Sequence, residues 1–362
     1  MAERRFEAPS LLAVRYGAAS RAGADPAPPG APAGTAGPAK ANQDTYLAVE
    51  RPGGGDALLL AVFDGHGAHG GRVSALLAAR VGALAGAAGL GRDDAGACAG
   101  GLPKPNAGVA WPPAAARAVA GAPTRRPATP PPEAADADAL ALDAALARAN
   151  AAVLSSRTID ASLSGSTAAV AALRPAGVSL AHVGDSRVIL GAIDDETDTL
   201  TARPLTDDHA PTRPDEAARI LAARGRIASY SHLGHPVGPL RVWLPTVDAP
   251  GLCMTRAIGD TVAAGAGVVA RSETGNHAWT PADRYLIVAS DGVHEFASDT
   301  EIVATVHAVA AAGGGPDAAA RALVAAARAA WIADEGGACD DCTAIVAYLE
   351  VGGGRDGGAT AA

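Results

Sequence analysis

Five aspartates lie at the ends of strongly apolar runs of the sequence, and two of them precede a glycine. They are Asp44, Asp64, Asp185, Asp291 and Asp340. Strand ends hold side chains rigidly, and carboxylates gathered there would repel one another unless cations neutralised them. Sites built from oxygen ligands select hard ions such as Mg²⁺ or Mn²⁺ and not zinc. Any one of these aspartates could instead cap a turn, but the recurrence of the pattern favours a metal centre.

The run that ends at Asp64 continues into a glycine-rich turn. Gly65, Gly67 and Gly70 have the G-x-G-x-x-G spacing of a dinucleotide-binding loop. Two features oppose that interpretation. The Asp64 carboxylate would face the pyrophosphate, and no second strand ending in an acid follows about 20 residues later. We therefore expect no nucleotide site here.

The elements that must position these acids are short strands and amphipathic helices. Helices are predicted around 73–84 and 142–153, after Pro214, and after the capping box that Ser298 forms with Glu301. Strand pairs joined by tight turns, with helices grouped separately, predict an α+β fold containing antiparallel sheets. The predicted strands are 58–63, 167–173, 178–183, 188–193, 285–289 and 344–349.

The length of 362 residues admits one large domain or two small ones. Motifs on both sides of the low-complexity segments belong together, so we expect a single domain over 40–350 with an insertion at 86–135. A strand region at 1–21 and a low-complexity loop at 22–39 precede it, and a flexible tail at 351–362 follows.

Charge and composition exclude several classes of protein. With 29 Lys and Arg against 38 Asp and Glu, the net charge is −9, which argues against nucleic-acid binding and against a polybasic membrane patch. No apolar stretch is long enough to span a membrane, and Glu3 and Glu7 argue against a secretory signal. The four cysteines are too few for a disulfide framework. We expect a monomer inside the cell, in the cytoplasm or the nucleus.

A set of short motifs resembles the metal-dependent type 2C Ser/Thr protein phosphatase family. Each motif is short, but together they follow the family's order from about residue 40 to residue 350. The stretch GPLRVWLPTVDAPGLCMTRAIGD is similar to a plant and protist branch of that family. The motifs are NQD, DGHG, SGSTA, GDSR, LTDDHAPTRPDEAARI, GLCMTRAIGD, ASDGVHE and DDCTAIVAYL.

The resemblance implies a fold and a metal centre. The family's fold is a central sandwich of two antiparallel β-sheets flanked by α-helices, a four-layer αββα arrangement with a binuclear metal site at one end. Asp64 matches the bridging carboxylate and Gly65 the residue that lends a backbone carbonyl. Asp44, Asp291 and Asp340 match the remaining ligands of two Mg²⁺ or Mn²⁺ ions.

The resemblance also implies a reaction, the hydrolysis of phosphoserine and phosphothreonine by a metal-activated water. Two divalent ions can clamp a phosphoryl oxygen and lower the pKa of a water. His66 matches the proposed general acid, and an imidazole suits proton donation to the leaving Ser or Thr oxygen. Asp185 and Glu295 match positions that some members use for a weaker third metal.

The sequence departs from the family pattern at three positions. Ala39 stands where the best-known members have an arginine that binds the substrate phosphate, and Lys40 is one residue closer to Asp44. Lys40 is therefore the candidate phosphate ligand, although an ammonium lacks the bidentate fork of arginine. Gln43 replaces an acid that many members have, and His294 replaces a frequent tryptophan.

Other residues receive plainer interpretations. Cys339 and Cys342 bracket Asp340 and lack the further ligands of a zinc site, so the pair is interpreted as incidental, with redox regulation as the alternative. We expect Arg256 and Asp260 to orient the loop beside the site and Trp243 to lie in the core.

These observations predict a Mg²⁺- or Mn²⁺-dependent protein Ser/Thr phosphatase that acts on phosphoproteins under an unknown regulator. The alternative from another class is a catalytically silent, phosphatase-like scaffold that binds phosphoproteins or a regulator. A third is a metal-dependent phosphohydrolase of small molecules.

Overall fold

A computed structural model describes residues 4–7, 12–32, 34–52, 57–85 and 137–351. The predicted insertion at 86–135 and all but the first residue of the predicted tail lie outside these ranges. The helices are α1 (Gly70–Ala85), α2 (Ala137–Leu154), α3 (Pro214–Ala222), α4 (Asp291–His294), α5 (Asp299–Ala311) and α6 (Pro316–Asp334). The strands are β1 (Arg4–Glu7), β2 (Leu12–Arg21), β3 (Thr45–Glu50), β4 (Leu58–Phe63), β5 (Gly65–His66), β6 (Gly165–Ser166), β7 (Ala168–Arg174), β8 (Gly177–Val183), β9 (Arg187–Asp194), β10 (Thr199–Pro204), β11 (Arg226–His232), β12 (His235–Trp243), β13 (Pro250–Leu252), β14 (Ile258–Gly259), β15 (Glu273–Ala278), β16 (Asp283–Ala289) and β17 (Cys342–Val351).

Two antiparallel sheets form the centre of the fold. One sheet has six strands in the order β1-β2-β17-β16-β9-β10, and the other has five in the order β15-β8-β7-β4-β3. Each of the six predicted strands is present, with ends that differ by at most two residues. Strand β2, near the start of the chain, pairs with β17 at the other end of the domain, so the six-stranded sheet closes only when both ends of the domain meet.

The side chains of β4 alternate between the two faces of its sheet and show how the layers pack. Leu58, Leu60 and Val62 face the apolar layer between the sheets, with Leu286, Val288 and Ile345 from the other sheet. The intervening residues of β4 face outward onto α1 and α2. On the opposite side, Ile287 and Val346 pack against α5 and α6. Successive side chains of a strand point to opposite faces, and the result is the four-layer αββα sandwich that the family resemblance predicts.

The helix ends follow local sequence signals. Ser298 caps α5 by accepting a hydrogen bond from the Glu301 backbone N–H, and the Glu301 carboxylate accepts one from the Ser298 backbone N–H. Pro214 occupies the first turn of α3. Ile220 of α3 is fully buried, whereas its neighbour Leu221 is exposed. The capping box and the proline start are both confirmed.

Two small sheets stand outside the sandwich. Strands β11, β12 and β13 form one, and β14, β6 and β5 form the other. Trp243 at the end of β12 is 5% exposed and donates its indole N–H to the Ala228 carbonyl at 2.8 Å, which confirms it as a core residue. The β5–β6–β14 sheet joins the DGHG, SGSTA and MTRAIGD segments side by side.

The segment 22–39, predicted as a low-complexity loop, is a loop held by backbone hydrogen bonds. Ala24 pairs with Ala39 and with Cys339. The amides of Ala27 and Gly37 donate to the carbonyls of Gly336 and Gly337, both at 3.1 Å. Alanine, glycine and proline bury little apolar surface, so these backbone contacts fix the loop against the segment that carries Asp340.

The inter-sheet layer gives a stability prediction. Leu60→Ala removes a fully buried side chain, and we expect it to lower the free energy of unfolding by about 2–5 kcal/mol. Leu233→Ala removes a side chain that is 87% exposed, and we expect a change within about 0.5 kcal/mol. Urea unfolding of both variants measures the difference, and equal losses would contradict this description of the core.

Candidate metal centre and active site

Sheet register brings the predicted metal ligands together in pairs. Thr45, directly after Asp44, pairs with Phe63, directly before Asp64. In the other sheet Ala289 pairs with Ala344, which places the chain just after β16 beside the chain just before β17. Asp291 and Asp340 lie in those two flanking segments. Antiparallel pairing therefore explains why acids separated by up to about 300 residues in sequence share one end of the sandwich.

Burial and mutual repulsion raise the pKa values of three of these carboxyls. Burial, with the charges of Asp341 and Asp291, raises the pKa of Asp44 to about 7. Burial and the charge of Asp340 raise the pKa of Asp291 to about 6. The pKa of Asp64 lies well above its usual value because of burial and the charges of Asp44, Asp291 and Asp340. Such shifts arise where carboxylates are gathered without a compensating cation.

Three carboxylate oxygens of this region have no hydrogen-bond partner among the described residues. They are Oδ1 of Asp44, Oδ1 of Asp185 and Oδ1 of Asp291, and all three are buried. A buried, unpaired carboxylate oxygen is costly. Oxygen ligands of this kind match Mg²⁺ or Mn²⁺, so the residues present fit the predicted metal centre.

Further polar groups, which the sequence analysis did not assign, hold the cluster in place. The Ser290 hydroxyl donates to Oδ2 of Asp44 at 2.8 Å. The buried carboxylate of Asp341 accepts from the amides of Gly23 at 2.6 Å and Gln43 at 2.8 Å. Asp341 thereby ties the segments before β3 and before β17 to each other. The adjacent acids of the DD pair were the only sequence signal for it.

Gly65 lies where any larger residue would collide. A Cβ on Gly65 would stand 2.5 Å from the Gly70 carbonyl oxygen and 2.6 Å from the Gln43 carbonyl oxygen. The side-chain amide of Gln43 donates to the Gly67 carbonyl at 2.8 Å. The replacement of the usual acid by glutamine thus adds a hydrogen bond that fixes the DGHG turn.

His66 is anchored by Asp260. The imidazole Nε2 donates to Oδ2 of Asp260 at 2.5 Å, and the Asp260 side chain is only 1% exposed. Asp260 has a left-handed backbone with a φ of 43°, and a Cβ on Gly165 would lie 2.0 Å from its Oδ2. Asp260, predicted from its motif to orient its own loop, thus contacts the candidate general acid.

Asp185 and Glu295, predicted for a third metal, lie beside the cluster. Burial raises the pKa of Asp185 well above its usual value, and the charge of Asp291 adds to this effect. Glu295 is exposed, and its charge contributes to the raised pKa of Asp291. His294 is buried and donates Nε2–H to the Asp185 carbonyl at 3.1 Å. Burial lowers the pKa of His294 to about 4, so this residue supports the Asp185 turn as a neutral imidazole.

Lys40, the candidate phosphate ligand, contacts a candidate metal ligand. Its ammonium lies 2.8 Å from Oδ1 of Asp340. Burial lowers the pKa of Lys40, but the charges of Asp340, Asp341 and Asp64 outweigh burial and the pKa is raised. Lys40 is therefore a cation at the edge of the acid cluster, and phosphate binding by this residue stays a prediction.

A second set of ionisable residues lies under the MTRAIGD segment. Arg256 is 4% exposed and contacts Glu216 at 2.7 Å and Glu273 at 2.9 Å. Although burial opposes it, hydrogen bonds from Arg219 and Arg256 hold the pKa of Glu216 well below its usual value. The prediction that Arg256 acts inside the protein is confirmed.

His182, His209 and Glu273 also place potential metal-ligand atoms within 4.8 Å of one another. The two imidazole rings stack with centroids 4.5 Å apart and planes 11° apart, so one ion cannot lie near the plane of both rings. Arg213 and Arg256 already neutralise Glu273. We interpret this group as structural packing and not as a second metal site.

The sequence of this chain matches a known protein family over more than half of its length. The family model described as protein phosphatase 2C matches residues 127–336, more than half of the chain. The chain belongs to the protein phosphatase 2C family. No helix among the described residues has the length and apolar character needed to cross a membrane.

Curated plant proteins are similar to this chain over part of their length. Probable protein phosphatase 2C 61 of Arabidopsis thaliana is 38% identical over 155 residues, which cover 43% of this chain and 45% of the relative. Probable protein phosphatase 2C 12 of Oryza sativa subsp. japonica is 37% identical over 171 residues, 47% of this chain and 42% of the relative. The matched regions thus span less than half of these relatives.

Solved structures share the fold over nearly the whole chain. Serine-threonine phosphatase 2C from Toxoplasma gondii matches with a TM-score of 0.67 and 18% identity, covering 96% of this chain and 99% of that one. A C. elegans sex determining protein matches with a TM-score of 0.61 and 21% identity, covering 92% of this chain and 64% of that one. Likeness at this level of identity shows the shared fold.

The raised pKa values predict how the stability of the metal-free protein changes with pH. Asp44 has a pKa of about 7 when folded and about 4 when unfolded. Between these values the folded state binds more protons, so the free energy of unfolding falls as pH rises from about 4 to about 7. We expect the midpoint of thermal unfolding to fall less in Asp44→Asn than in wild type.

Asp215→Asn is the matched control, because hydrogen bonds from Arg213 lower the pKa of Asp215 and keep it ionised throughout this range. It should retain the wild-type pH dependence. Differential scanning calorimetry in the presence of a chelator measures all three proteins. Identical slopes for wild type and Asp44→Asn would contradict the assignment of a strained carboxylate at this position.

Proposed function

We propose that this protein is a Mg²⁺- or Mn²⁺-dependent protein Ser/Thr phosphatase that hydrolyses phosphoserine and phosphothreonine in phosphoproteins. The observation that supports this most strongly is the group of buried, mutually repelling carboxylates beside an anchored imidazole. A silent scaffold would have no chemical need for such a cluster. Bound divalent ions would polarise the phosphoryl group and make a water nucleophilic near neutral pH.

The residues divide into ligands and orienting groups. Asp44, Asp64, Asp291, Asp340 and the Gly65 carbonyl would hold two ions. Asp185 and Glu295 would serve a weaker third ion. The buried oxygens without partners on Asp44, Asp185 and Asp291 support these roles. Each carboxylate is carried at a strand or helix end, which fixes it without the entropic cost of ordering a loop on binding.

His66 would act on the leaving group. Its Nε2 is held by Asp260 at 2.5 Å, so the proton for the leaving Ser or Thr oxygen comes from Nδ1. Asp260 then acts as a positioning residue that sets the ring orientation. A general acid of this kind contributes about 10²- to 10⁴-fold to the rate.

Lys40 would supply the positive charge for the substrate phosphate that arginine provides in the best-known members of the family. Its position against Asp340 supports this role, because the phosphoryl group must lie beside the metal ligands. An ammonium acts as a point charge without bidentate geometry, which suits a site where bound metal ions would supply further positive charge for the phosphoryl group.

Asp64→Asn is the first test of the proposed reaction. Loss of the bridging charge should lower metal-dependent phosphate release from a phosphothreonine peptide by about 100-fold or more, since several kcal/mol of transition-state stabilisation depend on the ions. The assay is run with Mn²⁺, with Mg²⁺ and with a chelator. A folded wild-type protein that binds Mn²⁺ without turnover would overturn the phosphatase and support the scaffold.

The His66 and Asp260 pair predicts a dependence on the leaving group. His66→Ala should lower kcat for a phosphothreonine peptide by about 10²- to 10⁴-fold, whereas p-nitrophenyl phosphate, whose phenolate leaves without protonation, should be much less affected. Asp260→Asn should likewise lower kcat for the phosphothreonine peptide more than kcat for p-nitrophenyl phosphate.

Asp160→Asn is the control, because Asp160 is an exposed loop residue that accepts from Ser162. Its ratio of the two kcat values should equal that of wild type. If Asp260→Asn slowed both substrates to the same extent, Asp260 would be structural and would not position the acid.

A further inference from the structure

We propose that Lys40 is a built-in counter-cation of the acid cluster that competes with a divalent ion for Asp340 and so sets the metal affinity of the centre. The inference rests on the metal centre of the proposed function and concerns a different property, its affinity for metal. It is carried by the contact between Lys40 and Asp340 and by the scaffold that enforces this contact.

The contact occupies one of the two oxygens through which Asp340 could bind a metal ion. The Lys40 ammonium donates to Oδ1 of Asp340 at 2.8 Å. The same oxygen also accepts the Asp341 amide at 2.7 Å. An ion that binds Asp340 through this oxygen must therefore displace the ammonium or share the carboxylate with it. The charges of Asp341 and Asp64 also attract Lys40 and add to the hold of Asp340 on the ammonium.

The backbone delivers Lys40 to this position. The Lys40 amide donates to the Gly23 carbonyl at 3.2 Å, and Ala24 and Cys339 exchange two backbone hydrogen bonds of 2.8 Å each. A Cβ on Gly23 would stand 2.3 Å from Cε of Lys40 and 2.2 Å from the Cys339 carbonyl oxygen. The loop that carries Lys40 and the segment that carries Asp340 are thus packed against each other. Their backbones therefore hold the two side chains close together.

The charge balance of the site points the same way. The Asp341 carboxylate already accepts hydrogen bonds from two backbone amides, and the Gln43 side chain is neutral. Lys40 adds a positive charge next to the remaining acids. A positive charge held beside metal ligands reduces their attraction for a divalent ion by ordinary Coulomb repulsion. This chain should therefore need more free Mg²⁺ or Mn²⁺ than a variant that lacks the ammonium.

Lys40→Met tests the proposal, because methionine keeps an unbranched side chain of similar length without the charge. We expect the Kd for Mn²⁺, measured by isothermal titration calorimetry, to fall by about 3- to 20-fold, as expected for the loss of one partly exposed ion pair within a cluster. In chelator, Lys40→Met should also unfold at a lower temperature than wild type, since the carboxylates lose their counter-cation. Saturating Mn²⁺ should remove that difference.

Two variants serve as controls. Lys40→Arg keeps the charge and should keep a Kd near that of wild type. Arg80→Met removes one positive charge from an exposed position on α1 and should leave the Kd unchanged. A folded Lys40→Met protein with an unchanged or higher Kd would overturn the proposal, and so would an equal tightening in Arg80→Met.

Failure of the proposed function has a different signature. Suppose that wild type binds Mn²⁺, that Lys40→Met binds it more tightly, and that neither protein releases phosphate. This result would overturn the phosphatase while supporting the role of Lys40. Phosphatase activity together with identical metal affinities would overturn only the role of Lys40.

Discussion

The repulsion among buried carboxylates at one end of the β-sandwich is the constraint on which the rest of the site depends. Asp44, Asp64 and Asp291 are gathered where burial and the charges of neighbouring acids both oppose ionisation. Such a cluster forms only if a large framework provides the free energy to hold it. The fully apolar layer between the two sheets and the helices packed on both outer faces provide that framework. Because the acids sit at strand ends, they cannot separate without breaking the register of both sheets.

Neighbouring groups offset part of this repulsion with hydrogen bonds and with one positive charge. Ser290 and the amides bound by Asp341 direct hydrogen bonds at the carboxylates, while Lys40 supplies a full charge at Asp340. The oxygens left without partners on Asp44, Asp185 and Asp291 belong to three of the proposed ligands. Hydrogen bonds from the protein thus satisfy these three acids only in part, and the unpartnered oxygens are the ones available to a metal ion.

The orientation of the His66 imidazole depends on a separate part of the structure. The three short strands β5, β6 and β14 join the DGHG, SGSTA and MTRAIGD segments, and this sheet carries both His66 and, one residue beyond its end, Asp260. The buried ion pairs of Arg256 with Glu216 and Glu273 lie at the base of the same segment. Breaking one partner of a buried ion pair leaves an uncompensated charge, so this network resists displacement of the loop that aims Asp260 at His66.

Local patterns in the sequence predict the main strands and helices and the residue types of the site. The alternation in β4, the capping box of α5 and the proline start of α3 are local signals, and local signals survive without tertiary context. Motif order gave the family, the layered fold and the candidate ligands. The partners of these residues depend on the folded arrangement of the chain. Asp260 reaches His66 across 194 residues, Lys40 reaches Asp340 across 300, and Asp341, adjacent to a candidate ligand, turns out to hold the backbone. Spacing along a chain cannot show which distant side chains meet, because that depends on sheet register and on how both ends of the domain pack together.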